Sequence, residues 1–286
     1  ASDVIALIDA TRDVVVLEDG QFAKLTPAGV EYTDEAGNVI EPKVTHIDWD
    51  LDMAEKGGYP DFMLKEIHEQ PRVVRDTLVG RMTPAGELDI EELGLSLEEL
   101  NDIDRVYVIA CGTSYHAGLI AKNLIEGWAR IPTEVEAASE FRYRNPIITP
   151  TTLVVAVSQS GETADTLAAI RDARIKGAKV FGITNVVGSP VARESDGVIY
   201  TKANKEIAVA STKSFIGQVV SLTLLALLLA QVKYRLTTKQ TRMMFRELSD
   251  TAEQIQWILD TQTDAVHEAA LLCKDAQSAL FVGRGM

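Results

Sequence analysis

The sequence predicts an α/β fold in which a parallel sheet is flanked by helices and preceded by a small strand-rich region. From residue 105 onward, short apolar segments alternate with stretches of helical character. This alternation is typical of parallel sheets covered by helices on both faces. Two of the predicted strands run directly into loops rich in serine, threonine and glycine. Because ligands bind outside the carboxyl ends of parallel strands, these loops predict a binding site.

The N-terminal region is predicted to form short strands. Residues 1–28 have strand-like composition with a turn at 18–20, and residues 34–37 form a second hairpin-like turn. Residues 41–95 are different, because prolines and a glycine pair separate short helical stretches at 62–70 and 73–79. We expect this segment to connect two domains and its helices to dock on the sheet-containing domain.

The strands of the parallel sheet are expected near residues 106–110, 134–138, 152–157, 179–184 and 197–201, with helices between most of them. Gly177 fits the position just past a helix end, and Asp165 fits the first turn of a helix.

A long helix is expected from about residue 212 to 232. It is apolar on all sides, but its longest unbroken apolar run, 224–230, is shorter than the roughly 18 to 20 residues that cross a bilayer. Such a helix is buried either in the core or against a second subunit, and the sequence does not distinguish the two. Heptad-like apolar spacing after residue 237 predicts a further helix.

Composition limits the classes of partner. The chain has 28 basic and 42 acidic residues, a net charge of −14, which argues against nucleic acid or an anionic membrane. The cysteines, Cys111 and Cys273, are too few for a disulfide framework or a zinc knuckle and indicate a reducing, cytoplasmic compartment. The four histidines lack metal-ligand spacing. We therefore expect neither a metal nor a cofactor.

The sequence SQSGET at residues 158–163 lies between an apolar strand and an amphipathic helix. The start of a helix presents unpaired N–H groups and the positive end of its dipole, and the hydroxyls add further donors. The lysine-containing nucleotide loop is absent, so the pattern favours a small phosphorylated metabolite over a nucleoside triphosphate. The alternative is a simple helix cap and turn. The sequence CGTS at 111–114 repeats the arrangement after the preceding strand.

These two loops, together with EIAVASTK at residues 206–213, resemble the first sugar isomerase (SIS) domain of the glutamine-fructose-6-phosphate aminotransferase family. Residues 59–71 resemble the family's lead-in to its isomerase half, and residues 11–20 the end of its glutaminase domain. The resemblance spans essentially the whole chain and implies an SIS-type, flavodoxin-like sandwich. The sequence departs from the family at Asp61, where a histidine is more frequent, and at Ala208, often a glycine.

The resemblance implies a fragment with five parts. These are a C-terminal remnant of a glutaminase (class II amidotransferase) domain at 1–30, an interdomain linker at 31–95, the first SIS domain at 96–236, a helical connector at 237–268 and the truncated start of a second SIS domain at 269–286. Residues 278–286 repeat the strand-then-glycine pattern of 107–113, as an internal repeat would.

The family converts fructose 6-phosphate and glutamine into glucosamine 6-phosphate and glutamate, the first step of hexosamine synthesis. The resemblance places no catalytic residue in this chain, so the chain alone is expected to be inactive. Its implied partners are fructose 6-phosphate or glucosamine 6-phosphate, with glutamine and a homodimer partner in the intact enzyme. The substrate-binding residues it implies are Thr113, Ser114, Ser158, Gln159, Ser160, Thr163, Val209 and Ser211.

Other residues near the loops leave alternatives open. Cys111 could act as a nucleophile, but a buried cysteine usually behaves as a small apolar side chain. His116 is the histidine expected nearest the ligand. Lys213 could contribute charge toward the sugar phosphate or could face solvent.

Two other functions fit an SIS domain. One is a regulator that senses a sugar phosphate, and the other is a phosphosugar isomerase acting alone. A regulator is expected to carry a basic, helical DNA-binding module at its N-terminus, whereas residues 1–40 look acidic and strand-rich. An upstream glutaminase domain would separate the aminotransferase from the isomerase.

Overall fold

The computed structural model describes residues 11, 13–27, 29–46, 56–88 and 94–283. The chain divides into two compact units, Ala1–Phe62 and Met63–Met286. The strands expected before residue 11 lie outside the described residues.

The described residues of the first unit form two small antiparallel sheets. Strand β1 (Asp13–Val15) pairs with β4 (Val44–His46), and β2 (Phe22–Thr26) pairs with β3 (Gly29–Thr33). The predicted turn at 34–37 is confirmed, because the Asp34 carboxylate accepts the backbone N–H groups of Ala36 and Asn38 at 2.9 and 2.8 Å. Such an Asx turn reverses the chain, and the antiparallel bridge between Thr33 and Val39 closes it.

The second unit is built on a five-stranded parallel sheet of order β6-β5-β7-β8-β9. The five predicted strands are confirmed. Their bounds are Arg105–Ala110 (β5), Thr133–Ala137 (β6), Thr152–Ser158 (β7), Lys179–Thr184 (β8) and Gly197–Tyr200 (β9).

Helices cover both faces of this sheet, except for the C-terminal helix Thr263–Cys273, which has no buried residue. Their bounds are Phe62–Leu78 (α1), Leu97–Asp102 (α2), Gly112–Leu124 (α3, followed by a π-helical turn at Ile125–Ala129), Ala138–Arg144 (α4), Ala164–Ile175 (α5), Pro190–Glu194 (α6), Lys213–Val232 (α7), Thr238–Thr261 (α8) and Thr263–Cys273 (α9).

Alternate side chains of each central strand point to opposite faces. In β5, Val106 and Val108 pack in the cluster that contains the apolar residues of α3 and α7, whereas Tyr107 and Ile109 pack in the cluster that contains α5. Tyr107 meets Phe141 of α4 edge to face, with ring centroids 5.5 Å apart. The period-two alternation of a strand buried on both sides accounts for this division.

Helix α7 belongs to the core. It is long and apolar enough to span a membrane by composition, but 72% of its most apolar window is buried inside the protein. Fifteen of its 20 residues are buried, and burying one leucine side chain contributes about 1.5–3 kcal/mol. Of the two alternatives that the sequence left open, the structure therefore shows burial in the core.

The prediction of two short helices at 62–70 and 73–79 is wrong, because α1 is one helix that passes through Pro71. Proline cannot donate to the carbonyl four residues earlier, which here belongs to Ile67. The side-chain amide of Gln70 donates to that carbonyl instead, at 3.0 Å. A substitute donor therefore lets the helix continue across the proline.

The expected docking of the segment that contains α1 is confirmed, since the Thr77 hydroxyl donates to the Thr201 carbonyl at 2.6 Å.

The C-terminal elements follow the prediction in part. The helix expected after residue 237 is α8, which begins with a capping box between Thr237 and Gln240. The strand expected in the repeat of 278–286 is not formed within the described residues 276–283. Leu280 and Phe281 are exposed there, and no described strand pairs with them, so the ladder hydrogen bonds that define a strand are missing.

Candidate functional site

Two hydroxyl-rich loops meet at the carboxyl edge of the parallel sheet. Strands β5 and β7 are direct neighbours, and Ala110 pairs with Val157 at their last common position. The loop that begins at Cys111 and the loop that begins after Ser158 therefore emerge side by side. Both lead into helices, α3 and α5. The arrangement is the one that the sequence predicts for a ligand crevice.

The 158–163 loop is held in shape by its own hydroxyls. The Ser158 hydroxyl accepts the N–H of Gly161 at 3.0 Å, and the Ser160 hydroxyl accepts the N–H of Glu162 at 3.2 Å. The hydroxyl oxygens of Ser158 and Thr163 lie 2.9 Å apart. Since a hydroxyl can donate one hydrogen bond and accept two, these contacts preorganise the loop and leave capacity for a ligand.

Gly161 is required by the close approach of a neighbouring loop. Its φ of +68° lies in the left-handed region, and a Cβ there would lie 2.1 Å from the Ser189 hydroxyl oxygen and 2.8 Å from that of Thr184. No larger residue fits without displacing these groups. The backbone of 158–163 therefore packs directly on the end of β8.

The start of α5 offers backbone donors. Thr163 is the N-cap residue, but its side chain makes no capping hydrogen bond and is paired with Ser158 instead. Asp165 lies in the first turn, as predicted. The terminal N–H groups of a 12-residue helix and the positive end of its dipole favour an anion at this position.

The 111–114 loop is shorter. Gly112 has a φ of +58° and opens α3, with Cys111 as the N-cap residue. Thr113 is exposed and Ser114 is almost fully buried. Cys111 is a partly exposed free thiol, and the His116 ring lies edge-on to Tyr115, with ring centroids 5.8 Å apart. Among the residues that the structure describes, no hydrogen bond pairs either side chain with a base or a carboxylate.

The third predicted contact region, residues 206–213, lies after β9 at the start of α7. Val209 is fully exposed. The Ser211 hydroxyl donates to the Glu206 carboxylate at 3.0 Å, and the same carboxylate accepts the N–H groups of Thr212 and Ser214 at 2.9 and 3.2 Å. Glu206 thus organises the turn that carries Ser211.

Lys213 takes neither of the orientations that the sequence left open. Its ammonium group donates to the Glu69 carboxylate of α1 at 2.6 Å, and the residue is only 2% exposed. A buried lysine needs such a partner because an isolated buried charge is strongly disfavoured. Lys213 therefore joins α7 to α1 and does not face solvent.

Two sets of residues at this edge are missed by the sequence reading. Thr184 is the register partner of Ser158, and Asn185 organises the end of β9 by accepting the Thr201 hydroxyl and the Ala203 N–H. Glu66 of α1 accepts the N–H groups of Ile207 and Ala208. Thr184 and Asn185 lie at the end of β8, three residues or more before the Gly188-Ser189 pair of that loop, so they stand outside the motif that marks the other two loops. Glu66 lies more than 140 residues from its partners, so no local motif reveals it.

Residues 99–228 match the family model described as "SIS domain", and the sheet and loops agree with that match. The chain therefore carries an SIS domain, the class of sugar isomerase domain that the 158–163 and 111–114 loops indicate.

The relatives extend the similarity to the whole chain. It is 47% identical over 286 residues to the glutamine–fructose-6-phosphate aminotransferase [isomerizing] of Clostridium perfringens, and 50% identical over 287 aligned residues to that of Symbiobacterium thermophilum. Each alignment covers 100% of this chain and 47% of the relative. The family resemblance is thus confirmed, and the chain spans about half the length of these relatives.

A solved structure agrees with these matches. The C-terminal domain of glucosamine-fructose-6-phosphate aminotransferase from Francisella tularensis superposes with a TM-score of 0.73 at 38% identity. The superposition covers 78% of this chain and 62% of that one. The predicted fold, an SIS-type parallel sheet flanked by helices, is confirmed.

Proposed function

We propose that this chain is the sugar-phosphate-binding part of an enzyme that converts fructose 6-phosphate and glutamine into glucosamine 6-phosphate and glutamate. One observation carries the proposal: the loops after β5 and β7 emerge side by side at the carboxyl edge of the sheet, next to the start of α5. The names of relatives at 47 and 50% identity support the same reaction.

The phosphate is assigned to the 158–163 loop. Its backbone N–H groups, the start of α5 and the hydroxyls of Ser160 and Thr163 supply neutral donors, and Gly161 lets the loop backbone pack against Ser189 and Thr184. Ser158 and Gln159 are the remaining residues that we assign to the phosphate side of the site. Helix-start donors of this kind hold an anion without a lysine.

The sugar is assigned to the two flanking regions. Thr113 and Ser114 open α3 beside the phosphate loop, and Val209 and Ser211 lie in the turn before α7. Together they would fix the open or cyclic sugar relative to its phosphate. Holding a substrate in one orientation contributes to catalysis, but the proton transfers need an acid or base that these residues do not supply.

The proposal extends to the whole protein. The domain order expected from the sequence, with a glutaminase domain before the linker and a second SIS repeat after it, is consistent with a chain that spans 47% of its relatives. We propose that the intact protein is a cytoplasmic homodimer that uses glutamine as its nitrogen source. The present chain alone binds the sugar phosphate and turns over neither substrate.

A coupled assay tests the proposal that this chain binds the sugar phosphate but turns over neither substrate. Glutamate and glucosamine 6-phosphate are measured with the purified chain and with a longer protein that joins it to the two missing regions of a relative. We expect both products only from the longer protein. Turnover by the chain alone, above a heat-inactivated control, would place catalytic groups within residues 1–286.

Amide hydrogen exchange tests the location of the site. Fructose 6-phosphate should slow exchange in residues 111–115 and 158–166, and fructose should not. Protection confined to another part of the chain would contradict the assignment of the two loops.

A further inference from the structure

The side chain of Glu66 is buried beneath a segment that is distant in sequence. Glu66 lies in the second turn of α1 and is 2% exposed. One carboxylate oxygen accepts the N–H of Ile207 at 2.6 Å, and the other accepts the N–H of Ala208 at 3.2 Å. Both oxygens are thus used to hold two consecutive backbone amides.

Burying a carboxylate costs more free energy than burying an apolar side chain at the same position of a helix. Burial raises the pKa of the Glu66 carboxyl, although the N–H groups of Ile207 and Ala208 and the charge of Lys213 act in the opposite direction. An apolar side chain of similar volume often packs such a position with equal or greater stability. The specific gain from Glu66 is the orientation of the amides at 207 and 208.

Further contacts of α1 secure the same segment. The Glu69 carboxylate binds the Lys213 ammonium, and the Thr77 hydroxyl donates to the Thr201 carbonyl. Helix α1 therefore holds residues 201–213 at their beginning, middle and end. Val209 and Ser211 lie within the held segment, one to three residues beyond the amides that Glu66 fixes.

We propose that Glu66 is a positioning residue for the sugar end of the substrate: it fixes the backbone at residues 207 and 208 so that Val209 and Ser211 face the sugar. This inference rests on the proposed function. Glu66 itself does not touch the ligand. The phosphate end is held by the 158–163 loop, which does not depend on Glu66.

The two ends of the substrate allow a selective test. Glu66→Gln keeps the shape of the side chain, but only one of its two terminal atoms can accept, so one amide loses its partner. Asp76→Asn, in the same helix but in an exposed i,i+4 pair with Arg72, is the matched control. Calorimetry with the full chain measures the dissociation constants of fructose 6-phosphate and of inorganic phosphate, and hydrogen exchange measures the amides of residues 207 and 208.

We expect Glu66→Gln to weaken fructose 6-phosphate binding about tenfold, because the backbone at residues 207 and 208 loses one hydrogen bond to a charged group that holds it in place. Inorganic phosphate binding should change less than about twofold on the same scale, and the two amides should exchange faster. Asp76→Asn should change none of these. Glu66→Asp, which keeps the charge and both oxygens, should recover part of the affinity and remains informative if Glu66→Gln does not fold.

The possible failures are distinguishable. Equal weakening of both ligands, or unchanged exchange at residues 207 and 208, would overturn the positioning role and make Glu66 a general stabilising residue. A wild-type chain that does not bind fructose 6-phosphate would overturn the proposed function and this inference with it. A wild type that binds, together with Glu66→Gln of equal affinity, would overturn the inference alone.

Discussion

The hydroxyl oxygens of Ser158 and Thr163 lie 2.9 Å apart, so the last residue of β7 and the N-cap residue of α5 are joined across the loop between them. The Thr163 hydroxyl is therefore used for the loop and not for capping its own helix. The backbone N–H groups at the start of α5 therefore receive no capping hydrogen bond from the Thr163 side chain. This arrangement favours an external anion as their partner.

Thr163→Val should weaken the binding of fructose 6-phosphate. The substitution keeps the β-branched shape and removes the hydroxyl that contacts Ser158 and that we propose contacts the phosphate. Loss of a hydrogen bond to a charged group is worth roughly 1.5–3 kcal/mol, or about a 10- to 100-fold change in dissociation constant. Titration calorimetry measures the change. Thr163→Ser is the matched control and should retain most of the affinity; a melting temperature that collapses while affinity persists would make Thr163 structural.

Gly161→Ala should destabilise the domain more than Gly188→Ala. Both glycines have a left-handed φ, +68° and +70°, but a Cβ at 161 would overlap the Ser189 hydroxyl, whereas a Cβ at 188 meets nothing within 4 Å. The shared backbone effect is about 1–2 kcal/mol, and overpacking at 161 adds roughly 1–3 kcal/mol. Urea denaturation of both variants gives the difference, and equal free energies of unfolding would show that the overlap is relieved without strain.

The Glu99 carboxylate predicts a pH-dependent contribution to stability. It accepts the Lys179 ammonium at 2.5 Å and the Ser96 N–H and hydroxyl at 2.9 and 3.0 Å. These contacts lower the pKa of this carboxyl from 4.5 to about 2; the Lys179 hydrogen bond has the largest effect, and the Ser96 hydrogen bonds come next. Because the folded state favours the ionised form, the contribution is complete above about pH 4.5 and is lost as the pH falls through about 2.

Glu99→Gln should therefore destabilise the protein near neutral pH, and its difference from the wild type should shrink as the pH falls from about 5 to 2. Free energies of unfolding measured across this range check the trend. Glu98→Gln, an exposed carboxylate of the same helix turn, is the control. A Glu99→Gln difference that is constant with pH would show that Glu99 acts through its shape and not its charge.

Leu225→Ala should cost about 2–5 kcal/mol of folding free energy, as expected for a large-to-small change at a fully buried site. Leu272→Ala, at an exposed position of α9, should change stability by less than about 0.5 kcal/mol. Thermal or urea unfolding compares them. Similar small effects would contradict the assignment of α7 to the core.

The sequence predicts the parts of this fold that depend on local pattern. Apolar segments such as 152–157 and glycines such as Gly177, which ends α5 with hydrogen bonds from its own N–H to Arg174 and from Ala178 to Ala173, carry their structure within a few residues. The continuity of α1 is not predictable from a local pattern, because a side chain satisfies the carbonyl left without a partner by Pro71. The contacts of Glu66 and the burial of Lys213 are not predictable either, because their partners lie about 140 residues away.

Titration calorimetry of the purified chain with fructose 6-phosphate and with fructose tests most directly whether a phosphorylated sugar binds selectively at the carboxyl edge of the sheet. Circular dichroism and a cooperative melting transition first establish that the sample is folded. We predict saturable heat with fructose 6-phosphate and none with fructose at the same concentrations. Equal heat for the two sugars, or no heat for either in a folded sample, would contradict the proposed function.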